Sequence, residues 1–189
     1  MKRRLFLYAA LIACTGIMYS SCGKIASLIR ATAISWQAVD VSFNVPIVTD
    51  TANFTSVGSG SFTYNIDSLI KAQTLNQLGL ANIDQFTLTS CTMTIQNPDA
   101  SNNFANFESA GGSLSTSANT TPITMGTITT PDTYSATLNV PVTTANLKAY
   151  VSPSGTTMFT YSVQAKARRA TTKVLNVTVH VEYNIHVTP

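Results

Sequence analysis

The most constraining feature of this chain is its last long segment, LNVTVHVEYNIHV, residues 175–187. Leu175, Val177, Val179, Val181, Tyr183, Ile185 and Val187 alternate with Asn176, Thr178, His180, Glu182, Asn184 and His186. Unbroken period-two alternation places every apolar side chain on one face of a strand, and no helix does the same. At ~3.3 Å per residue such a strand is about 40 Å long, so it needs partners of similar length and a second layer over its apolar face.

The same period recurs upstream. In VDVSFNV, Val39, Val41, Phe43 and Val45 share a face, and in SFTYNI so do Phe62, Tyr64 and Ile66. QFTLTSCTMTIQN changes phase: Phe86 and Leu88 agree with each other, then Cys91, Met93 and Ile95 take over. One inserted residue near Thr89-Ser90, a β-bulge, accounts for that slip. Further strands are expected around Gly112–Ser117, Ile123–Ile128, Tyr134–Val140 and Met158–Ala167. The polar stretch KARRATTK reads as the tip of a C-terminal hairpin. One short helix is expected around 67–78, capped by Asn65 or Asp67 and ended by Gly79 in left-handed geometry. Phe104 and Phe107 in NNFANFES are expected to pin a loop to the core. The pattern predicts an all-β chain: a two-sheet antiparallel β-sandwich, immunoglobulin-like, forming one domain over residues 36–189.

There is also an internal echo. FNVPIVTDTANFTSVGSGSFTYNI (43–66) and LNVPVTTANLKAYVSPSGTTMFTYSV (138–163) share N-V-P, then A-N, then F-T-Y. A true repeat would put two strand–connection–strand units in related places, with Pro46 and Pro141 ending strands or lying on edges.

The front of the chain has another character. MKRRLFLYAALIACTGIMYSSCG opens with three cations, continues with an apolar run to Tyr19 and closes on small residues. About fifteen apolar residues suit the core of an export signal and fall short of the roughly twenty that span a bilayer. Ser20-Ser21-Cys22-Gly23 resembles the lipobox of bacterial lipoproteins, with Tyr19 departing from the usual leucine. The resemblance implies a signal peptide at residues 1–21, acyl chains on Cys22, and a tether over residues 22–35. It also implies a partner, the membrane, engaged through the N-terminal lipid. Lys24 is not an acidic inner-membrane retention residue, which favours the outer membrane within the cell envelope.

Charge matters once the signal is set aside. The chain has eleven Lys and Arg against eight Asp and Glu. Removing Lys2, Arg3 and Arg4 leaves the two signs equal, so nucleic acid is not an expected partner. Cys14 lies in the signal core and Cys22 is the lipid site, which leaves Cys91 without a disulfide partner and in phase with core residues.

Candidate chemistry is sparse. His180 and Glu182 stand two apart on one strand face and could share an ion; His186 lies too far along to join, so no metal site is expected. DASNNF at 99–104 lacks the glycine and glutamate of a calcium loop, and GSGSFT reads as a turn before a strand. Lys166, Arg168, Arg169 and Lys173 form a candidate patch for phosphorylated headgroups or an acidic glycan. Trp36 is a core plug or a sugar platform, and Tyr150 is a second candidate platform. DTA (50–52) and DSL (67–69) resemble the D-[ST] acceptor of a periplasmic O-glycosylation system, which implies Thr51 and Ser68 as candidates. No nucleophile, zinc or cofactor motif occurs. The expectation is a non-catalytic, lipid-anchored binding or assembly module needing no cofactor, with an envelope protein or glycan as partner. A carbohydrate- or lipid-binding accessory protein of an envelope uptake system is the alternative.

Overall fold

The computed structural model describes residues 31–37 and 40–189. The proposed signal peptide, Cys22, most of the expected tether and Val39 lie outside the described residues. Among the described residues nine strands and one α-helix follow in the order β1 (Thr32–Gln37), β2 (Val41–Val45), β3 (Phe54–Asn65), α1 (Ile66–Gln73), β4 (Ile83–Ile95), β5 (Phe107–Thr116), β6 (Ile123–Thr129), β7 (Thr137–Asn139), β8 (Thr156–Ala167) and β9 (Leu175–Val187). They form a sandwich of two antiparallel sheets. One is ordered β1-β9-β4-β7, with β2 also pairing β9; the other is β3-β8-β5-β6.

Alternation decides each strand's faces. All seven apolar residues of β9 are at most 4% exposed, while its polar residues face outward. Each such side chain contributes about 1.5–3 kcal/mol on burial, so a one-residue register slip would expose the whole set. In β4 the register against β9 shifts between Leu88 and Ser90, the site of the expected bulge. Phe86 and Leu88 are buried before the shift, and Cys91, Met93 and Ile95 after it.

Between the sheets lies an aromatic cluster. Trp36 stacks on Tyr183 at 5.1 Å, Phe62 on Phe159 at 5.1 Å, and Phe86 meets Tyr183 at 4.9 Å. Such pairs are worth about 0.5–1.5 kcal/mol each beyond their area. Trp36 is therefore a core residue and offers no platform to a ligand.

Four expectations change. The segment before β9 is no hairpin: β8 and β9 belong to different sheets, so KARRATTK crosses from one layer to the other. GSGSFT is no turn but lies inside β3, where Gly58 and Gly60 face inward beneath β2. A Cβ on either would fall 2.2 Å from Phe43 or Val41, so glycine lets the two sheets close at this corner. Helix α1 begins at Ile66, with Asn65 accepting the Ser68 N–H, and stops at Gln73. Leu75 and Asn76, rather than Gly79, adopt positive φ beyond it. The strand expected from Tyr134 begins only at Thr137.

The echo occupies matched positions. Phe62 of β3 pairs with Phe159 of β8, and β4 pairs with β9. β2 flanks β9 while β7 flanks β4, so β2-β3-β4 and β7-β8-β9 exchange places under an approximate two-fold. Pro46 follows the end of β2, and Pro141 lies two residues past β7, where a missing N–H costs no ladder bond.

Candidate functional site

Strand directions gather four connections at one end of the sandwich: residues 46–53, 96–106, 130–136 and 168–174. The inter-sheet crossover runs through the middle of them. Val48 and Thr171 are joined twice, by Val48 N donating to Thr171 Oγ1 at 2.9 Å and Thr171 N donating to the Val48 carbonyl at 3.0 Å. Asn102, Asn103 and Asn106 are all buried. Asn106 Nδ2 donates to the carbonyls of Ser101 and Ala170, and its Oδ1 accepts from Asn103 N. Asn102 Oδ1 accepts from Thr172 N at 2.8 Å. Because a buried amide left unpaired costs about 1–3 kcal/mol, this satisfied network fixes the loops in one arrangement.

The four cations singled out from the sequence all lie here, each facing a carboxylate. Lys166 meets Glu108 at 2.9 Å, Arg169 meets Asp132 at 2.5 Å with Arg168 at 3.6 Å from the same group, and Lys173 meets Asp99 at 2.6 Å. Lys173, with help from Asn102 and the Ser101 N–H, holds the Asp99 carboxyl down at about 2. Arg168 also donates to the carbonyls of Ala105 and Thr130, and Arg169 to Ala105. Two guanidiniums thereby tie three loops together, using donors a lysine lacks.

Around Arg169 these loops enclose an open cleft of about 430 Å³. Ser101, Asn103, Asp132, Tyr134, Arg169 and Thr172 supply its polar groups. Tyr134 is 60% exposed, although it lies in a loop held by Phe104 N donating to the Ser135 carbonyl. Sequence reasoning missed this tyrosine because the alternation from Tyr134 to Val140 placed it in a strand. The earlier candidate Tyr150 is half-buried at the other end, its hydroxyl donating to the Thr121 carbonyl. A smaller groove of about 180 Å³, around Gly111 and Phe54 on the outer face of the β3-β8-β5-β6 sheet, has no charged group in its wall.

The other candidates stand apart from the cleft. Thr51 is exposed in a turn closed by Asp50, which accepts from the Ala52 and Asn53 N–H groups; Ser68 is exposed in the first turn of α1. His180 lies between two carboxylates, Nδ1 at 2.6 Å from Asp40 and Nε2 at 3.8 Å from Glu182, while His186 pairs with Asp84 at 3.3 Å. Among the described residues no group of three or more His, Cys, Asp or Glu is placed to hold a metal ion. DASNNF is a turn, closed by Asp99 Oδ1 accepting from Ser101 N. Among the described residues no helix is long and apolar enough to cross a membrane.

No family model and no curated protein sequence matches the chain. Solved structures with some likeness include an infectious bursal disease virus Gt strain structure, at 8% identity and a TM-score of 0.37 over 84% of this chain. Desmodium yellow mottle tymovirus gives 16% identity and 0.26 over 83%, and the Drosophila NLP core gives 12% and 0.26 over 76%. This chain covers 33% of the bursal virus chain, 88% of the tymovirus chain and 97% of the NLP core. The likenesses are too slight to bear on function.

Proposed function

We propose that this chain is an envelope lipoprotein, held at the outer membrane by acyl chains on Cys22, whose sandwich is a non-catalytic binding module working through its crossover-end loops. What carries the reading is the direction of entry. β1 begins with Thr32 opposite Val187, at the end of the sandwich away from the cleft. β9 runs from that end to the crossover, about 40 Å at ~3.3 Å per residue. A lipid tether ahead of β1 would leave the cleft on the side turned from the bilayer, clear of headgroups. Several acyl chains, at about 0.8 kcal/mol per buried methylene, suffice for lasting attachment.

The test is Cys22→Ser in a Gram-negative host. Fatty-acid labelling is expected to vanish and the protein to move from the membrane to the soluble fraction. Unchanged fractionation, or an intact mass retaining the first 21 residues, would refute the anchor.

A further inference from the structure

We infer that the cleft beside the crossover takes a neutral saccharide, with Tyr134 as its stacking face and the Asp132–Arg169 pair as its hydroxyl clamp. The inference rests on the binding-module reading and adds the ligand class to it.

Three observations converge. The first is Tyr134, an aromatic 60% exposed on a loop that is itself held in place. Its phenol has no hydrogen-bond partner among the described residues, so no local structural duty accounts for keeping the ring in water. An aromatic ring offers the C–H face of a pyranose an apolar surface at low entropic cost.

The second is the ion pair. Asp132 Oδ1 is engaged by Arg169 Nη2, which also donates to the Ala105 carbonyl. Asp132 Oδ2 and Arg169 Nη1 keep an acceptor and donors that no protein group uses among the described residues. Adjacent sugar hydroxyls need that combination: one donates to a carboxylate oxygen while its neighbour accepts from a guanidinium. Ser101 and Thr172 add hydroxyls to the same wall.

The third is charge. Asp132 already faces both Arg169 and Arg168, at 2.5 and 3.6 Å. A phosphate or uronate would have to compete with that carboxylate beside it, whereas a neutral polyol meets no like charge. The roughly 430 Å³ of open space suits one or two sugar rings, and the buried asparagine floor keeps the groups in position before binding.

The experiment is calorimetric titration of the purified, acylated protein with maltotetraose, cellotetraose and mannotetraose, and with trigalacturonate and inorganic phosphate in parallel. At least one neutral tetrasaccharide is expected to bind. Tyr134→Ala should weaken it about tenfold or more, and Tyr134→Phe should keep affinity within about threefold, since the ring and not the hydroxyl does the stacking. Asp132→Asn should also weaken binding. Thermal unfolding of each variant checks that the exposed substitutions leave the fold intact. Binding of trigalacturonate or phosphate alone, lost in Arg169→Ala but indifferent to Tyr134→Ala, would overturn the proposal in favour of an anion patch. Neutral binding unmoved by Tyr134→Ala would place the site elsewhere and overturn it too. Failure of every probe, with Cys22 still acylated, overturns the saccharide site and leaves the anchored reading standing.

Discussion

At the scale of single residues, a hydroxyl pair sits between the two sheets. Tyr161 of β8 and Tyr183 of β9 are fully buried and hydrogen-bond hydroxyl to hydroxyl across the gap between the sheets. Burial pushes both phenols above their ordinary range, and it pushes the nearby Cys91 thiol up to about 12. All three are therefore neutral at physiological pH, and Cys91 behaves as the small apolar residue its phase in β4 announces. Tyr161→Phe leaves the Tyr183 hydroxyl without its partner and is predicted to cost about 1–3 kcal/mol in urea unfolding. Tyr161→Phe combined with Tyr183→Phe removes both polar groups at nearly constant shape and should recover most of that loss. If the double variant loses as much as the two single variants combined, the hydroxyl pair is not what the core depends on. Trp36 and Tyr134 show the limit of reading such residues from composition. Each is the lone aromatic of its local stretch, and the packing around it separates core from surface.

At the scale of elements, what could be read from sequence was whatever depends on neighbours in the chain. The bulge in β4 showed as a phase slip because a pleat forces alternate side chains to opposite faces. The Asn65 cap and the start of α1 follow from local hydrogen bonding. The crossover reads as a hairpin from sequence because alternation states that a strand has a buried face and is silent about which sheet it joins. Its loops are held by contacts between segments far apart in sequence, and one of these is pH-sensitive. The folded Asp99 carboxyl, at about 2, lies below the ordinary aspartate value of about 3.9. A depressed value means the Asp99 contact stabilises the loops above about pH 4 and is lost as pH falls toward 2. Protection of the amides over residues 98–106 and 168–173, taken relative to the intrinsic exchange rate at each pH, is predicted to fall across that window in the wild type. In Lys173→Met the Asp99 carboxyl, followed by NMR, should titrate higher; an unchanged titration would show that Lys173 is not the main cause.

At the scale of the whole molecule, the chain closes on itself late. Among the described residues β1 and β2 pair with β9 alone, so their sheet cannot be completed until residue 187 is available. Such long-range pairing predicts folding in milliseconds to seconds rather than microseconds. It also predicts that truncation after Ala167 abolishes the cooperative unfolding transition, because β1, β2 and β4 lose their common neighbour. A truncated chain that still melted sharply would mean the β3-β8-β5-β6 sheet is stable alone. The approximate two-fold fits the same picture, with β4 and β9 forming the central pair of one sheet and β3 and β8 meeting at Phe62 and Phe159 in the other.

Read alone, the sequence establishes an all-β two-sheet sandwich, the buried faces of β2, β3, β4 and β9, the bulge, a helix cap at Asn65 or Asp67 and equal numbers of cations and acids after Tyr19. These are properties of adjacent residues, and alternation, capping and charge are local physics. Packing of the whole chain is what matches the cations with Glu108, Asp132 and Asp99, makes Trp36 core, and stands Tyr134 beside Arg169 in a cleft. Those depend on which distant segments share one end of the sandwich. That is set by burying all the apolar faces together, not by any stretch taken singly.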